Sequence, residues 1–532
     1  MKRAGTYLRR VGVLLCAMIP CALFGSEVAS CTGKSAMQRD RTLVIGRSSD
    51  AVTLDPAQSS NVADYAALRL LYQRLVTLDP KNDSSQPLVV GDLASTWETD
   101  SSGLQVTFTL HPRRRFSDGS PVNAEAVKYS FERMKAIGSV AGRSLQNVLN
   151  IDTPDSFHVI FQLKDQSPTF LLLLTLPLFS IVNPRVALQT HNNDAGGRWL
   201  AEHAAGSGAY GLVRWDRGAR LILEANPYAQ SPTVYFSRIE MVVLRDAVTR
   251  RLTFQRGDID ILEDLAPDGV ATTAKLPYAH LLACDTAILL SLDMNNLRPP
   301  FDDQQVRLAV SNALDRKLIV HWIYRDQATA VFGLLPPKMN GDFEGTPSAS
   351  TATVSLPPAR IKQMREKAVT LSYVPGDSAI DALAVQVQSA LATIGLSVNI
   401  ERLSAAALGS RVAATGNYDM AIRAYLADFP DPSIVLVPLY QSDHWGTAGN
   451  RVRYANPTVD RLLVAAEKER NPPQRLRLFA TAERAIMADT PSAVLLSPKQ
   501  LFALRDDIKG FEYDMWLPRT YDVQRMYREA RP

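Results

Sequence analysis

The stretch from residue 370 to residue 403 constrains the fold most. TLSYV (370–374) reads as a strand, and DSAIDALAVQVQSALATIG (377–395) reads as a helix, with Asp377 or Ser378 as its cap and Gly395 as its stop. LSVNIERL (396–403) reads as a strand again. A strand–helix–strand run of this length returns the chain alongside itself, which implies parallel pairing. YDMAIRAYLAD (418–428) supplies a further strand that ends at the turn FPDP. The class is therefore α/β, and in such sheets a ligand crevice lies beyond the strand ends.

Other elements fit around this unit. TLVIG (42–46) is a short apolar strand, and VADYAALRLLYQRLV (62–76) has apolar residues at helical spacing. Residues 105–110, QVTFTL, alternate as a half-buried strand. Asp118-Gly119 makes a turn, Asn123 is placed to cap the next helix, and Val127, Phe131 and Met134 fall on one face of it. The run 334–359 is rich in Pro, Gly and Ser and reads as a surface excursion. No internal repeat is visible.

The first thirty residues stand outside any core. Lys2, Arg3, Arg9 and Arg10 precede an apolar run at 11–25 that contains Pro20. That run is shorter than the roughly 20 residues a membrane span needs, so residues 1–30 read as a secretory signal. Val28-Ala29-Ser30-Cys31 follows. It resembles a bacterial lipobox, which would make Cys31 the lipidated N-terminus; simple cleavage near Ser30 is the alternative. Residues 1–30 hold four basic residues and one acidic residue, so the net charge of +4 falls to +1 without them. No basic surface remains to suggest a nucleic-acid partner. Of the four cysteines, Cys16 and Cys21 leave with the signal, and Cys284 reads as a buried structural thiol. At 532 residues the chain holds two to four domains, at about 100–200 residues each.

GSGAYGLV (206–213) has the spacing G-x-G-x-x-G-x-V of a nucleotide loop. A kinase also needs a lysine on a following strand, an HRD and a DFG. No lysine lies between Lys164 and Lys275, and neither tripeptide occurs. A dinucleotide site needs a strand before the glycines and a helix after them. Here GRWLAEHAA, before them, looks helical, and after them Leu212, Val213 and Trp215, then Asp216-Arg217-Gly218, then Leu221, Ile222 and Leu223 read as strand, turn and strand. The expectation is that the glycines supply positive φ where a helix ends and a hairpin begins.

The same stretch, extended to GSGAYGLVRWDRGARLILEANPYA, resembles the G-T-G-P-Y…W…G…L…N…Y segment of the family 5 extracellular solute-binding proteins, with Ser207 and Ala209 as mild departures. FSDGSPVNAEAVKYSFERM (116–134), RRLTFQRGDIDIL (250–262), MNNLRPPFDDQQVRLAVSNALDRKLIV (294–320) and YLADFPDP (425–432) resemble further blocks of that family, in colinear order. The resemblance implies a periplasmic binding protein-like fold: two lobes around a ligand cleft, with an additional α+β domain on the first lobe. Carried onto this chain, the first lobe takes residues 41–75, 180–265 and 501–532, the additional domain 76–179, and the second lobe 266–500. It implies a monomeric substrate-binding protein of an ABC importer that captures short peptides and delivers them to an inner-membrane permease. It also implies a periplasmic location, with membrane contact only through a lipid on Cys31.

The family's peptide receptors hold the ligand's α-amino group with the aspartate of the A-D-[YF] motif, here Asp428. An ammonium taken out of water needs such an acceptor; capping of the following turn is the structural alternative. Asp431 reads first as a turn residue and second as a ligand contact. Tyr425 would wall a side-chain pocket or pack in the core. Arg423 shares a strand face with Tyr425 and would pair with a ligand carboxylate. The family's arginine falls one place earlier, at Ile422, and a one-residue shift changes the strand face. The seven histidines are scattered, without metal-ligand spacing, and no cofactor or protein-held metal is implied. A G-x-S-x-G elbow is absent. Arg256-Gly257-Asp258 reads as a helix end. The competing readings are the same scaffold holding chelated nickel, haem, an opine or a sugar, and, more distantly, an exported enzyme or chaperone-like protein.

Overall fold

A computed structural model describes residues 40–529, apart from 60, 80–87, 193, 230–233 and 340–355. The signal segment, Cys31 and most of the Pro/Gly/Ser-rich run lie outside the described residues.

The strand–helix–strand unit forms as its residues dictate. Asp377 caps the helix Ser378–Thr393, accepting the Ala379 amide at 2.8 Å. Gly395 ends the turn beyond it at φ +84°. Val369–Tyr373 and Val398–Arg402 then pair in parallel. Met420–Leu426 joins the other side of Val369–Tyr373, also in parallel. The complete sheet has six strands, in the order Ala328–Ala330, Ser492–Pro498, Ile288–Met294, Met420–Leu426, Val369–Tyr373, Val398–Arg402. One face buries Leu290, Leu292, Ile422 and Leu371 against Val306 and Val310 of helix Gln304–Ala313 and Leu383 and Val387 of helix Ser378–Thr393. Strand alternation turns Ser291, Asp293, Arg423 and Tyr425 to the other face.

A second, mixed sheet has seven strands: Ala279–Cys284, Gln500–Arg505, Ile261–Leu262, Thr42–Arg47, Arg238–Val243, Arg220–Ala225 and Tyr210–Asp216. Residues 279–284, which sequence reasoning groups with the second lobe, thus pair with Gln500–Arg505 in the sheet of the first. The chain passes from this sheet to the six-stranded one between Cys284 and Ile288 and returns between Pro498 and Gln500. The two crossings lie side by side. Thr286 Oγ1 donates to the Pro498 carbonyl at 2.6 Å, and Ser497 Oγ donates to the Thr286 carbonyl at 2.9 Å.

A four-stranded antiparallel sheet, Ala94–Thr99, Gln105–Leu110, His158–Leu163, Val148–Asp152, packs on helix Ala124–Ile137. Asn123 caps that helix, accepting the Ala126 amide, and Val127, Phe131 and Met134 are buried along its face. Phe161 meets Phe108 and Phe131 edge to face, with centroids 5.6 and 5.0 Å apart. Arg133 ties this unit to the seven-stranded part through a buried two-pronged pair with Asp55, at 2.9 and 2.6 Å.

Three expectations change. The helix from Val62 ends at Leu71, not at 76: Tyr72 turns extended, its hydroxyl donates to the Leu54 carbonyl, and Val76–Leu78 is a strand. The glycines of GSGAYG do not supply positive φ; that falls to Gly218, in the hairpin turn. Gly206 and Gly208 serve close approach instead. A Cβ on Gly208 would sit 2.2 Å from the Leu70 carbonyl oxygen, and one on Gly206 would sit 2.1 Å from that of Leu71. Cys284, at the end of an edge strand, is half-buried rather than buried, and its thiol is pushed up to about 11 chiefly by desolvation.

Candidate functional site

The strand Met420–Leu426 carries the site because its end runs against the crossings between the sheets. Ala427, the next residue, donates its amide to the Ala287 carbonyl in the first crossing at 3.0 Å. Asp428 follows, recessed where the lobes meet. Among the described residues its carboxylate has no hydrogen-bond or ion-pair partner. Burial alone pushes it up to about 7, with no neighbouring cation to oppose the shift. Tyr65, on helix Val62–Leu71 of the first lobe, lies close enough for the charge of Asp428 to act on it. Burial first, then Asp428 and Asp64, raise the Tyr65 phenol. The Tyr65 hydroxyl likewise has no partner among the described residues.

Tyr425 stands on the second-lobe side of this recess. Its hydroxyl donates to the Ile434 carbonyl, which fixes the ring against helix Ser433–Tyr440. Desolvation raises its phenol, with the Asp428 charge adding to the effect. Arg423 is on the same strand face, as alternation requires, and both line a partly enclosed cavity of about 30 Å³ between the sheet and that helix. Arg423 Nε lies 3.7 Å from Asp293 Oδ2, beyond hydrogen-bonding distance, while Asp293 Oδ1 accepts from Ser291 Oγ at 2.7 Å. Burial raises the Asp293 carboxyl despite the Arg423 charge. Arg451 lines the same cavity from the loop after Gly449.

Asp431 belongs to the framework. It forms a buried two-pronged pair with Arg475, with Nη2 to Oδ1 at 2.9 Å, and its Oδ1 also accepts the amide and hydroxyl of Ser433 at 2.9 and 2.6 Å. Both oxygens are taken, and the residue is 7% exposed. The structure therefore brings Asp428, Tyr425 and Arg423 to one region and holds Asp431 apart from it. Sequence reasoning passed over Tyr65, Asp293 and Arg451. The alternation in ILLSLDM marks Ser291 and Asp293 as polar positions on a common face, but nothing local marks Arg451 or Tyr65. Among the described residues no group of three or more His, Cys, Asp and Glu could hold a metal ion, and no helix is long and apolar enough to cross a membrane. Arg256-Gly257-Asp258 closes helix Ala247–Arg256, with Gly257 left-handed at φ +82°.

Two α/β lobes joined by adjacent crossings, with an unpartnered carboxylate recessed between them, define a binding protein of the periplasmic type. The chain belongs to the bacterial extracellular solute-binding proteins of family 5, whose middle-region model matches residues 89–447. It is 32% identical over 486 residues to the probable D,D-dipeptide-binding periplasmic protein DdpA of Escherichia coli K12, covering 91% of this chain and 94% of that one. Its fold matches a periplasmic binding protein, DppA, from Helicobacter pylori in complex with the peptide STSA (TM-score 0.78, 21% identity, 93% of this chain and all of that one). It also matches a dipeptide-binding protein from Pseudoalteromonas sp. SM9913 in complex with Met-Leu (TM-score 0.80, 19% identity, 92% of this chain and all of that one). Members of this family are solute-binding proteins, not enzymes.

Proposed function

We propose that this chain is the substrate-binding component of an ABC importer and that it captures short peptides for an inner-membrane permease. The observation that carries the reading is Asp428: a half-buried carboxylate at the meeting of two lobes, without a partner among the described residues. A buried charge of this kind is costly unless an opposite charge meets it, and the α-ammonium of a peptide is such a charge. Tyr65 and Tyr425 stand on either side, one from each lobe, so a ligand on Asp428 touches both lobes and favours the closed state. Thr286 and Pro498 mark the hinge, and the lobes divide there. Export follows from the N-terminal segment, and the sulfur of Cys31 is the point of lipid attachment. The likeness to a D,D-dipeptide-binding relative supports dipeptides as first probes.

The test is native mass spectrometry of residues 32–532, purified gently. Extra masses that fragment to peptides are the expected result. A single non-peptide mass, or a nickel or iron isotope pattern, would overturn the peptide assignment while leaving the importer role in place.

A further inference from the structure

A larger cavity, of about 460 Å³, lies away from the cleft and has the size of a small-molecule site. Among the described residues that line it, none comes from the six-stranded sheet or its helices. They come from the end of helix Val62–Leu71, the paired strands Val76–Leu78 and Val89–Gly91, the segment 207–209, the tail 522–525, and Arg114. Its carboxylates are engaged. Asp92 accepts the Gln73 side-chain amide at 2.7 Å and the Arg74 backbone amide at 2.9 Å. Asp522 accepts the Gln524 amide at 3.1 Å and pairs with Arg525 at 3.1 Å, and Asp79 has a partner too. Of the four guanidinium groups on the wall, two are neutralised: Arg69 by Asp514 at 2.7 Å, and Arg525 by Glu512 at 3.0 Å as well as by Asp522. Arg74 and Arg114 are not. Arg74 is 5% exposed, and its side chain donates to neutral oxygens, the Thr175 carbonyl at 2.8 Å and Thr77 Oγ1 at 3.1 Å. Its nearest carboxylate, Asp92, is 4.0 Å away, beyond hydrogen-bonding distance. Desolvation brings its pKa down to about 10 against the pull of Asp92. Arg114 is half-buried, and its side chain has no partner among the described residues. Ser207 is buried, and its hydroxyl has no partner either.

We propose that this cavity is a second ligand site, separate from the cleft, in which Arg74, Arg114 and Ser207 take the oxyanion group of a small polar molecule. A guanidinium presents its donors in a planar fork that matches a carboxylate or a phosphate. A buried cation without a close counter-charge burdens the empty protein, and an arriving anion relieves that cost. Gly206 and Gly208 pack on the Leu70–Leu71 backbone and so hold Ser207 at the wall between them. Thr77, Gln73 and Gln524 line the remainder, with only Tyr72, Leu78 and Val90 as large apolar side chains, which suits a hydrophilic body. The oxyanion can be a phosphoryl or a carboxylate group; the donors are the same for both. The site does not depend on what Asp428 binds.

The experiment measures binding of inorganic phosphate and of succinate to the full mature chain, by phosphorus NMR line width for the first and proton saturation transfer for the second. The wild type is expected to bind at least one of them saturably, with a Kd of about 1 mM or tighter. Arg114→Gln is expected to weaken that binding at least about tenfold. It should unfold at the wild-type temperature, because Arg114 pairs with nothing in the empty protein. Arg114→Lys keeps the charge, loses the fork and should recover part of the affinity. Ser207→Ala should weaken binding about fivefold without loss of stability, since it removes an unpartnered hydroxyl. Phosphate binding that succinate does not displace assigns the site to a phosphoryl group; displacement by succinate, or binding of succinate alone, assigns it to a carboxylate. No saturable binding of either probe by about 50 mM would overturn the proposal, and so would binding that Arg114→Gln leaves unchanged. If Arg114→Gln unfolds early, Ser207→Ala decides, and undiminished binding in that variant overturns the site. Failure of this site leaves the reading of the cleft in place, because none of these variants touches Asp428.

Discussion

Asp428 gives the most exacting test of how the cleft works. Its carboxyl is held up at about 7 by burial, against the ordinary 3.8 of an aspartate. That difference is worth about 4 kcal/mol between its protonation states. The sign follows from the direction of the shift. A carboxyl whose pKa is raised on folding makes the folded protein bind more protons than the unfolded chain between pH 3.8 and 7. The ligand-free protein should therefore lose stability as pH rises through that window and level off above 7. Ligand binding shows the opposite trend. At pH 6 about nine-tenths of the empty sites are protonated, so an ammonium must displace a proton to pair with Asp428. Affinity should rise about tenfold per unit from pH 5 to 6.5 and flatten above 7. It should fall again beyond about 8 as the peptide amine itself loses its proton. Calorimetry in buffers of different ionisation enthalpy should detect close to one proton released per ligand at pH 6 and little at pH 7.5. Asp428→Asn should abolish the acid limb, cut affinity by at least a hundredfold at pH 7.5 and leave the empty protein more stable at pH 8. An affinity that is flat from pH 5 to 7.5, with no buffer dependence, would refute the assignment.

Two further substitutions probe the scaffold. Asp431→Ala should leave Arg475 as an unpaired buried cation and cost about 3–5 kcal/mol, seen as a lower denaturant midpoint, with the order of preference among dipeptides unchanged. Gly208→Ala should drive a Cβ to 2.2 Å from the Leu70 carbonyl oxygen. Backbone at both sides cannot yield cheaply, so a loss of about 1–3 kcal/mol is expected, read by chemical denaturation; an unchanged midpoint would show that the close approach is not needed.

The elements legible in the sequence are those that local chemistry decides. The cap at Asp377, the stop at Gly395, the helix they bound and the apolar strands on either side of it are sufficient to call for the parallel unit that the structure contains. The same holds for Asn123 and the face of Val127, Phe131 and Met134. Local reasoning failed where the partner is distant. Glycines at 206 and 208 look like turn glycines until the Leu70–Leu71 backbone is packed on them, more than a hundred residues away in the chain. The strand at 279–284 shows its sheet only when Gln500–Arg505 returns to pair with it.

The site divides along the same line. Asp428 and Asp431 lie three residues apart in one turn, and both are carboxylates that a short motif would treat alike. What separates them is Arg475, on a helix some forty residues further on: it neutralises Asp431 and leaves Asp428 bare. Arg423 and Arg451 differ less sharply. Asp293 stands beside the first, and the second is left with a buried donor that nothing fills. Of the two aspartates, the one that the fold satisfies is framework. The one it leaves unsatisfied is where binding energy is available, because the cost of its burial is carried by the empty protein and relieved only by an opposite charge. Asp428 lies just past the end of the central strand, beside the crossing at Ala287 and within electrostatic reach of Tyr65 in the first lobe, so an opposite charge that meets it there acts where the two lobes face each other.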